Sequence, residues 1–283
     1  MLRERQRVLL YALGALAASG KRATKTFLDK LLFLTLKETN MVESVKFYNF
    51  FPYRYGPYSK NFDYELADLQ SRGLVKPDLT VSEEGLKLAE KLPETAKQAF
   101  LQVEKRFANT KSAVDYVYAN YPQYTVLSKL VEHDKKLNKP AGLFSIGYEG
   151  RDVDSFLDCL VQNSIEVVAD VRKNPFSMNY AFTKSKLVSS LKSVGIGYVH
   201  FPELGIPGEY RKNLESQQDY EELFEFYKRE ILPSGKEKTR ELADLVSRQR
   251  VALLCFESDK NCCHRGVLAK ALEELSGKEV VHL

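Results

Sequence analysis

The second half of the chain alternates short apolar runs of strand character with helical patterns, and this alternation restricts the fold more than any other feature. Strands are predicted near 143–147, 165–171, 197–201, 251–256 and 279–282, and helices near 152–163, 184–194, 219–249 (as one helix or two) and 264–276. Strands that alternate with helices favour a parallel sheet covered on both faces. We therefore predict an α/β domain over residues 141–283, with an open and mostly parallel sheet.

Polar motifs follow or end four of the predicted strands. In an open parallel sheet, ligands bind beyond the carboxyl ends of the strands, so these motifs are expected to meet at one edge. They are Ser145-Ile-Gly-Tyr-Glu-Gly150, Asp170-Val-Arg172, His200-Phe-Pro-Glu-Leu-Gly205 and Cys255-Phe-Glu257, with Cys262-Cys-His-Arg265 opening the helical pattern that follows. Carboxylates, a histidine, arginines and thiols gathered there predict a polar site.

The motifs resemble a family known as domain of unknown function four-eight-eight. The resemblance covers residues 143–283 and is carried by the motifs above together with Pro175, Phe182 and Lys184. It is specific for membership and implies no particular reaction, so any chemistry has to be argued from the residues themselves.

Four residues are candidates for catalysis. Asp170 and Arg172 lie two positions apart and point to the same side of a strand. The guanidinium favours the ionised form of the carboxylate. Asp170 then either orients a water, or the pair only braces the loop. Glu149 lies in a glycine-flanked turn that permits close approach of a ligand, or it is a solvent-facing acid. His200 is a candidate acid or base, or is only hydrogen-bonded in place. Glu257 is a further partner carboxylate.

The predicted substrate-binding set combines an aromatic ring with cations and a helix start. Tyr148 can stack on a base or sugar. At the start of the last predicted helix, free backbone N–H groups favour binding of an anion, and Arg265 adds a bidentate contact to it. The alternative is a reactive cysteine with a low pKa at the same helix start. The full set is Tyr148, Arg172, Lys184, Cys263, His264 and Arg265.

The cysteines allow a direct test for zinc and for disulfides. Cys255, Cys262, Cys263 and His264 supply enough soft ligands for zinc, but their spacing is not that of a standard finger or ribbon. Adjacent residues also rarely chelate one ion comfortably, so we predict no metal and no cofactor. The cysteines show no regular disulfide framework, which predicts free thiols and a cytoplasmic location. Walker, dinucleotide and serine-triad motifs are missing.

The first half of the chain is mainly helical in pattern and carries the basic charge. Residues 1–140 hold 23 Lys/Arg against 16 Asp/Glu, whereas residues 141–283 hold 19 against 22. This excess suits a polyanion partner or is only a basic surface. Helices are predicted near 4–19 and 24–38, a third helix is expected to end near Arg72, and further helices lie within 83–135. Strands are predicted at 45–51 and 79–81. The segment 8–19 imitates a secretory signal, but we expect a first helix ended by Gly20 and no membrane span.

Part of this half resembles the Panacea family of antitoxin-associated domains. The residues that carry the resemblance are Tyr53-Arg-Tyr-Gly-Pro-Tyr-Ser-Lys60, Leu66, Leu69 and Gly73-Leu-Val75, with the helix 24–34. The resemblance covers about the first 90 residues and implies a winged-helix-like fold that recognises nucleic acid or a protein partner. Arg54, Lys60 and Arg72 are then candidate phosphate contacts. The tyrosines beside them either stack on a ligand or, as we prefer, form a core around the tight turn.

These observations predict a two-domain protein, with residues 1–138 as a winged-helix-like domain plus helical extension and a boundary in the polar segment 133–140. The leading functional prediction is a nucleic-acid-directed hydrolase, in its most specific form a DNA glycosylase that removes a modified, flipped-out base in phage defence. Asp170 would position water, with Glu149 or Glu257 as its partner and His200 assisting proton transfer. The alternative is a DNA-binding regulator with a ligand-sensing α/β domain, or an antitoxin-like protein that grips a partner.

Overall fold

The computed structural model describes residues 2–131, 139–211, 214 and 216–283. The chain divides into two compact units, Met1–His133 and Asp134–Leu283. Of the segment 133–140, where the sequence places the boundary, residues 133–138 lie outside the described residues. Within the described ranges, none of the helices combines the length and the apolar content needed to cross a membrane.

The N-terminal unit is mainly helical, as its sequence predicts. Its elements are α1 (Glu4–Ala18), α2 (Lys25–Glu38), α3 (Met41–Ser44), β1 (Phe51–Tyr53), β2 (Gly56–Tyr58), α4 (Lys60–Ser71), α5 (Glu83–Ala89), α6 (Glu94–Glu104) and α7 (Thr110–Asn120). Short polar side chains define several helix starts: Thr24, Ser59 and Ser82 each accept a hydrogen bond from the backbone N–H three residues on. These caps satisfy N–H groups that the helix itself leaves free.

The segment around the aromatic run differs from its prediction. The strand expected over 45–51 begins only at Phe51, and it pairs antiparallel with β2 in a hairpin. Pro57, expected in a first helical turn, lies inside β2, because Gly56 takes a φ of 88° and turns the chain back at once. The strand expected at 79–81 is reduced to an isolated bridge between Val75 and Val81. The winged-helix-like assignment stays a prediction.

The C-terminal unit is built on a five-stranded parallel sheet, which confirms the predicted fold class. Its elements are β3 (Gly142–Gly147), α8 (Val153–Gln162), β4 (Val167–Asp170), α9 (Lys184–Ser193), β5 (Gly197–His200), α10 (Gln217–Phe226), α11 (Leu232–Ser234), α12 (Lys236–Arg248), β6 (Arg250–Cys255), α13 (His264–Ser276) and β7 (Val280–His282). The strand order is β5-β4-β6-β3-β7, and every paired neighbour is parallel. The helical pattern 219–249 is interrupted at Gly235, which separates α11 from α12.

The order of the strands determines where a ligand crevice opens. From β3 through β4 to β5 the chain moves one way across the sheet, and from β5 through β6 to β7 it moves back. Right-handed crossovers therefore place α8 and α9 on one face and α10 to α13 on the other. β6 lies between β3 and β4 in the sheet. The helix that follows β6 packs on the opposite face of the sheet from the helices that follow β3 and β4. Such a reversal creates a crevice beyond the carboxyl end of the strand.

Candidate functional site

The register of the sheet brings the four strand-end motifs to one edge. Gly147 at the end of β3 is level with Cys255 at the end of β6. Asp170 at the end of β4 is level with His200 at the end of β5 and with Leu254 of β6. Residues that are distant in sequence therefore share the crevice beyond β6.

Asp170 and Arg172 form a buried pair at this edge. Arg172 donates from Nε to Oδ1 of Asp170 at 2.8 Å and from Nη2 to Oδ2 at 2.6 Å. The Tyr198 hydroxyl donates to the same Oδ2 at 2.7 Å, and Asp170 is 0% exposed. Both carboxylate oxygens are thus engaged away from solvent, which favours the bracing interpretation of this pair over a water-positioning role for Asp170.

Arg172 also fixes the segment that follows β4. Its Nη1 donates to the Tyr148 hydroxyl and to the Phe182 carbonyl oxygen, each at 3.1 Å. Burial by itself disfavours the charged guanidinium, but the hydrogen bonds and charge of Asp170 raise the pKa of Arg172 overall. The result is a permanent cation whose position is set by its neighbours.

Tyr148 has a packing role that the sequence did not reveal. Its ring stacks on Phe182 with centroids 4.3 Å apart and planes 12° apart, and the residue is only 4% exposed. It therefore has little free face to offer a base or sugar, which corrects the expectation for this residue. Phe256, whose ring meets Tyr148 edge-on, is 44% exposed, and Phe176 is 73% exposed. These two rings are better placed to contact a ligand.

A cleft of about 500 Å³ opens at this edge, within the size range of small-molecule sites. Its lining includes Glu149, Arg172, Lys173, Phe176, Arg211 and Phe256. A second cleft, of about 810 Å³, lies beside α10 and α13, and the predicted catalytic residues are not among the described residues that line it. We therefore place the candidate site in the smaller cleft, where the strand ends meet.

Glu149 is the carboxylate of the cleft that is both exposed and held in place. The Ser258 N–H and hydroxyl donate to its Oε2 at 2.9 Å and 3.0 Å. These two bonds lower the pKa of Glu149, so the group is ionised at neutral pH. The Glu149 N–H also donates to the Phe256 carbonyl oxygen, which joins the loops after β3 and β6.

Glu257 lies deeper and is paired with a residue that the sequence analysis missed. Arg211 forms an ion pair with its Oε1, and the Cys255 thiol donates to its Oε2 at 3.2 Å. Arg211 belongs to the irregular segment after β5, and its long sequence separation from Glu257 leaves no local pattern that would identify it. The position of that segment just beyond a strand end is the sole hint in the sequence.

Three soft ligands gather beneath the edge. One ligand atom each from Cys255, Cys263 and His264 lies within 4.8 Å of the other two, and all three residues are buried. Hydrogen bonding with Cys263 lowers the pKa of Cys255, whereas burial raises the pKa of Cys263. Cys263 and His264 are adjacent in sequence, yet each places a ligand atom in this cluster. Cys263 is extended, with φ −139°, and the helix starts at the next residue, so both side chains reach the cluster.

The other predicted ligand-binding residues are used differently. The Arg265 guanidinium donates to the carbonyl oxygens of Glu257 and Ser258, and the residue is 2% exposed, so it anchors a loop instead of clamping an anion. His200 is half-buried, and its Nε2 bonds the Arg172 carbonyl oxygen at 2.9 Å. Lys184 is exposed at the start of α9.

The N-terminal candidates are spread along the surface. Arg54 is exposed, with its guanidinium 5.4 Å from the centre of the Tyr53 ring. Lys60 and Arg72 lie at opposite ends of α4, roughly 18 Å apart along the helix axis. Arg72 forms an ion pair with Asp68 at 2.9 Å. These cations therefore do not form one compact phosphate site.

The tyrosines beside them favour the packing interpretation. Tyr53 and Tyr58 stack on each other with ring centroids 5.0 Å apart, and both contact Phe51 across the hairpin. Tyr55 at the tip is 52% exposed. The aromatic run thus mostly builds the hairpin itself.

The fold and site define the C-terminal unit as a doubly wound α/β domain with a polar cleft at its topological switch point. Residues 152–272 match the family model described as Domain of unknown function DUF488, so a domain of this family is present, as the motifs indicated. The match runs from α8 into α13 and includes Asp170, His200, Cys255 and Cys263. No curated protein and no solved structure matches the chain.

Proposed function

We propose that the C-terminal unit is a hydrolase that binds a nucleotide-like group, free or within a nucleic acid, in the cleft beyond β6. The observation that carries this proposal is the composition of the cleft wall. Exposed Phe176 and Phe256 offer faces on which a base can stack, and Lys173 and Arg211 offer charge for a phosphate. The ionised Glu149 lies in the same lining.

The catalytic role in this proposal passes from Asp170 to Glu149. Asp170 has both oxygens engaged by Arg172 and Tyr198, so it serves to position the cation. Glu149 uses Oε2 for its two bonds from Ser258, and the carboxylate is exposed to the cleft, where it can orient and deprotonate a water. Glu257, held by Arg211, is the second carboxylate.

The most specific form of the proposal is cleavage of the glycosidic bond of a modified base. A cleft of about 500 Å³ accommodates one nucleotide and excludes a duplex, so a base in DNA would have to be flipped out of its stack to enter. The basic N-terminal unit would supply contacts to the nucleic acid, since its excess of Lys and Arg favours a polyanion.

The test is incubation of the full chain with plain and hypermodified DNA and with free nucleotides, followed by mass spectrometry of the products. We expect a released base or fragment, and Glu149→Gln should slow its formation by about 100-fold or more, because the water loses its base. Glu237→Gln, an exposed glutamate of α12 outside the cleft, is the matched control and should leave the rate unchanged. Absence of any product with every substrate would refute the hydrolase proposal.

A ligand-sensing regulator is the second candidate, and one observation favours it. The deepest charged groups of the edge, Asp170, Arg172 and Arg265, are held by internal hydrogen bonds, as expected of a binding scaffold. A regulator would change its affinity for duplex DNA when a nucleotide is added, with no covalent product. In that case Phe256→Ala should abolish the response while Glu149→Gln preserves it.

A further inference from the structure

We infer that Cys255, Cys263 and His264 form a binding site for a single zinc ion, with the fourth coordination position open to a water or another ligand. The site lies below the cleft and stands whether or not the cleft hydrolyses a nucleotide. Thiolate and imidazole ligands suit zinc and disfavour magnesium and calcium, which prefer oxygen.

The distances in the cluster are close to those that a tetrahedral zinc site needs. His264 Nδ1 lies 3.8 Å from Cys255 Sγ and 3.9 Å from Cys263 Sγ. Bonds of about 2.3 Å to sulfur and about 2.0 Å to nitrogen place neighbouring ligand atoms of a tetrahedron roughly 3.5 Å apart. A contraction of a few tenths of an ångström would therefore bring the histidine nitrogen and each of the two sulfurs to the separation that a tetrahedral zinc site requires.

The orientation of His264 is already set for this role. Its Nε2 lies 3.0 Å from the Val171 carbonyl oxygen. A carbonyl oxygen can only accept, so Nε2 carries the hydrogen and Nδ1 of the neutral ring presents its lone pair to the two sulfurs. A hydrogen bond from the non-ligating ring nitrogen to a backbone carbonyl is the usual arrangement for a histidine that binds a metal.

Glu257 adjoins the three ligands. Its Oε2 lies 3.2 Å from Cys255 Sγ, so a carboxylate lies next to one of the two sulfurs. Two thiolates and one carboxylate would leave one excess negative charge on the zinc site. The Arg211 guanidinium, paired with the other oxygen of Glu257, offsets that charge. Binding would release the thiol protons of Cys255 and Cys263 to the buffer.

The site can be tested on the full chain, purified in reductant, loaded with Zn²⁺ and desalted. Elemental analysis should find about one zinc per chain, as a single site requires. Titration with Co²⁺ should give the intense visible absorption of a tetrahedral ion and a thiolate-to-cobalt charge-transfer band in the near ultraviolet. Cys255→Ser and Cys263→Ser should each weaken binding by at least about tenfold, since each removes a ligand.

Cys262→Ser is the matched control, because Cys262 adjoins the cluster but is not one of its three ligands. This variant should bind zinc as the parent does. Glu257→Gln should weaken binding while the thiolate band remains. If serine variants fail to fold, the Co²⁺ spectrum of the parent chain decides the matter.

Three results would overturn the inference. The first is no zinc retained and no thiolate band in the reduced parent chain. The second is full zinc stoichiometry in the double variant Cys255→Ser/Cys263→Ser. The third is a disulfide between Cys255 and Cys263, found by peptide mapping without reductant, in a chain that after reduction still binds no metal.

Discussion

The two units place their charged candidate site residues in opposite ways. In the N-terminal unit the basic candidates Arg54 and Arg72 are exposed and lie apart from each other. In the C-terminal unit Asp170, Arg172 and Arg265 are buried at one edge and hydrogen-bonded to their neighbours. Burying a charge costs free energy unless it is paired and hydrogen-bonded, so the edge is the part of the molecule whose geometry is most strictly determined. Exposed charges determine only the character of a surface.

Asp170→Asn should give the largest effect, because it leaves the buried Arg172 cation without its partner. We expect a loss of about 3–5 kcal/mol in the free energy of unfolding, measured by urea titration. The N-terminal counterpart is Asp115→Asn, which removes an exposed pair with Lys111 on α7 and should cost about 0.5 kcal/mol or less. Equal losses in the two variants would break the comparison between the units.

Gly147→Ala should follow, at about 3 kcal/mol, because the new Cβ would overlap the Glu257 carbonyl group, which is backbone and cannot rotate away. Gly20→Ala is the matched variant in the N-terminal unit. Gly20 has a φ of 69° but no atom within 4 Å of the added carbon, so its cost should be only about 1 kcal/mol of backbone strain. Thermal unfolding of the two variants would measure the difference.

Lys30 sharpens the comparison, because it is a buried charge of the N-terminal unit, as Asp29, Glu65 and Glu104 also are. It donates to the Pro57 carbonyl oxygen at 2.8 Å. Burial, only partly offset by Asp29, lowers the pKa of Lys30 to about 8. Between that value and the ordinary lysine pKa the unfolded chain binds more protons, so stability rises with pH. Relative to Lys30→Met, the parent chain should gain about 2 kcal/mol from pH 8 to pH 9.5. A difference that stays flat with pH would contradict the lowered pKa of Lys30.

Phe256→Ala should have the smallest effect on the free energy of unfolding, and its effect should be confined to the cleft. Loss of a stacking ring should weaken nucleotide binding by about tenfold while the free energy of unfolding changes little, since the residue is 44% exposed. Tyr64→Ala, which removes an exposed aromatic ring from the N-terminal unit, is the control and should leave affinity unaltered. Isothermal titration calorimetry with a nucleotide would measure the affinity of both variants. Equal affinities of the Phe256→Ala variant and the parent chain would contradict a base-stacking role for Phe256.

The sequence was sufficient to predict the parallel sheet and to predict that the strand-end motifs meet at one edge of it. Strand periodicity and the strand-helix alternation predicted the parallel order of the fold, and the carboxyl-end rule brought Glu149, Asp170 and Cys255 to one edge. Burial could not be predicted, because it depends on contacts across long separations. The stacking of Tyr148 on Phe182 and the pairing of Arg211 with Glu257 are examples.

Local signals were also overridden by pairing. Pro57 suits a helix start, yet it joined a strand because Gly56 allowed an immediate hairpin. The adjacency of Cys263 and His264 argues against a shared ion, but the change from extended to helical backbone between them brings both side chains to one cluster. In both cases the deciding factor is a backbone conformation that residue types alone do not specify.

The loop after β6 is held from two sides, by Glu149 on Ser258 and by Arg265 on the carbonyl oxygens of Glu257 and Ser258. One wall of the cleft is therefore preorganised, and a ligand that docks against it loses little entropy in ordering the protein. The facing segment carries Phe176 and Met178, which are 73% and 93% exposed. Tolerance for ligands of different shape would thus reside in that segment, and directed evolution of specificity should begin there.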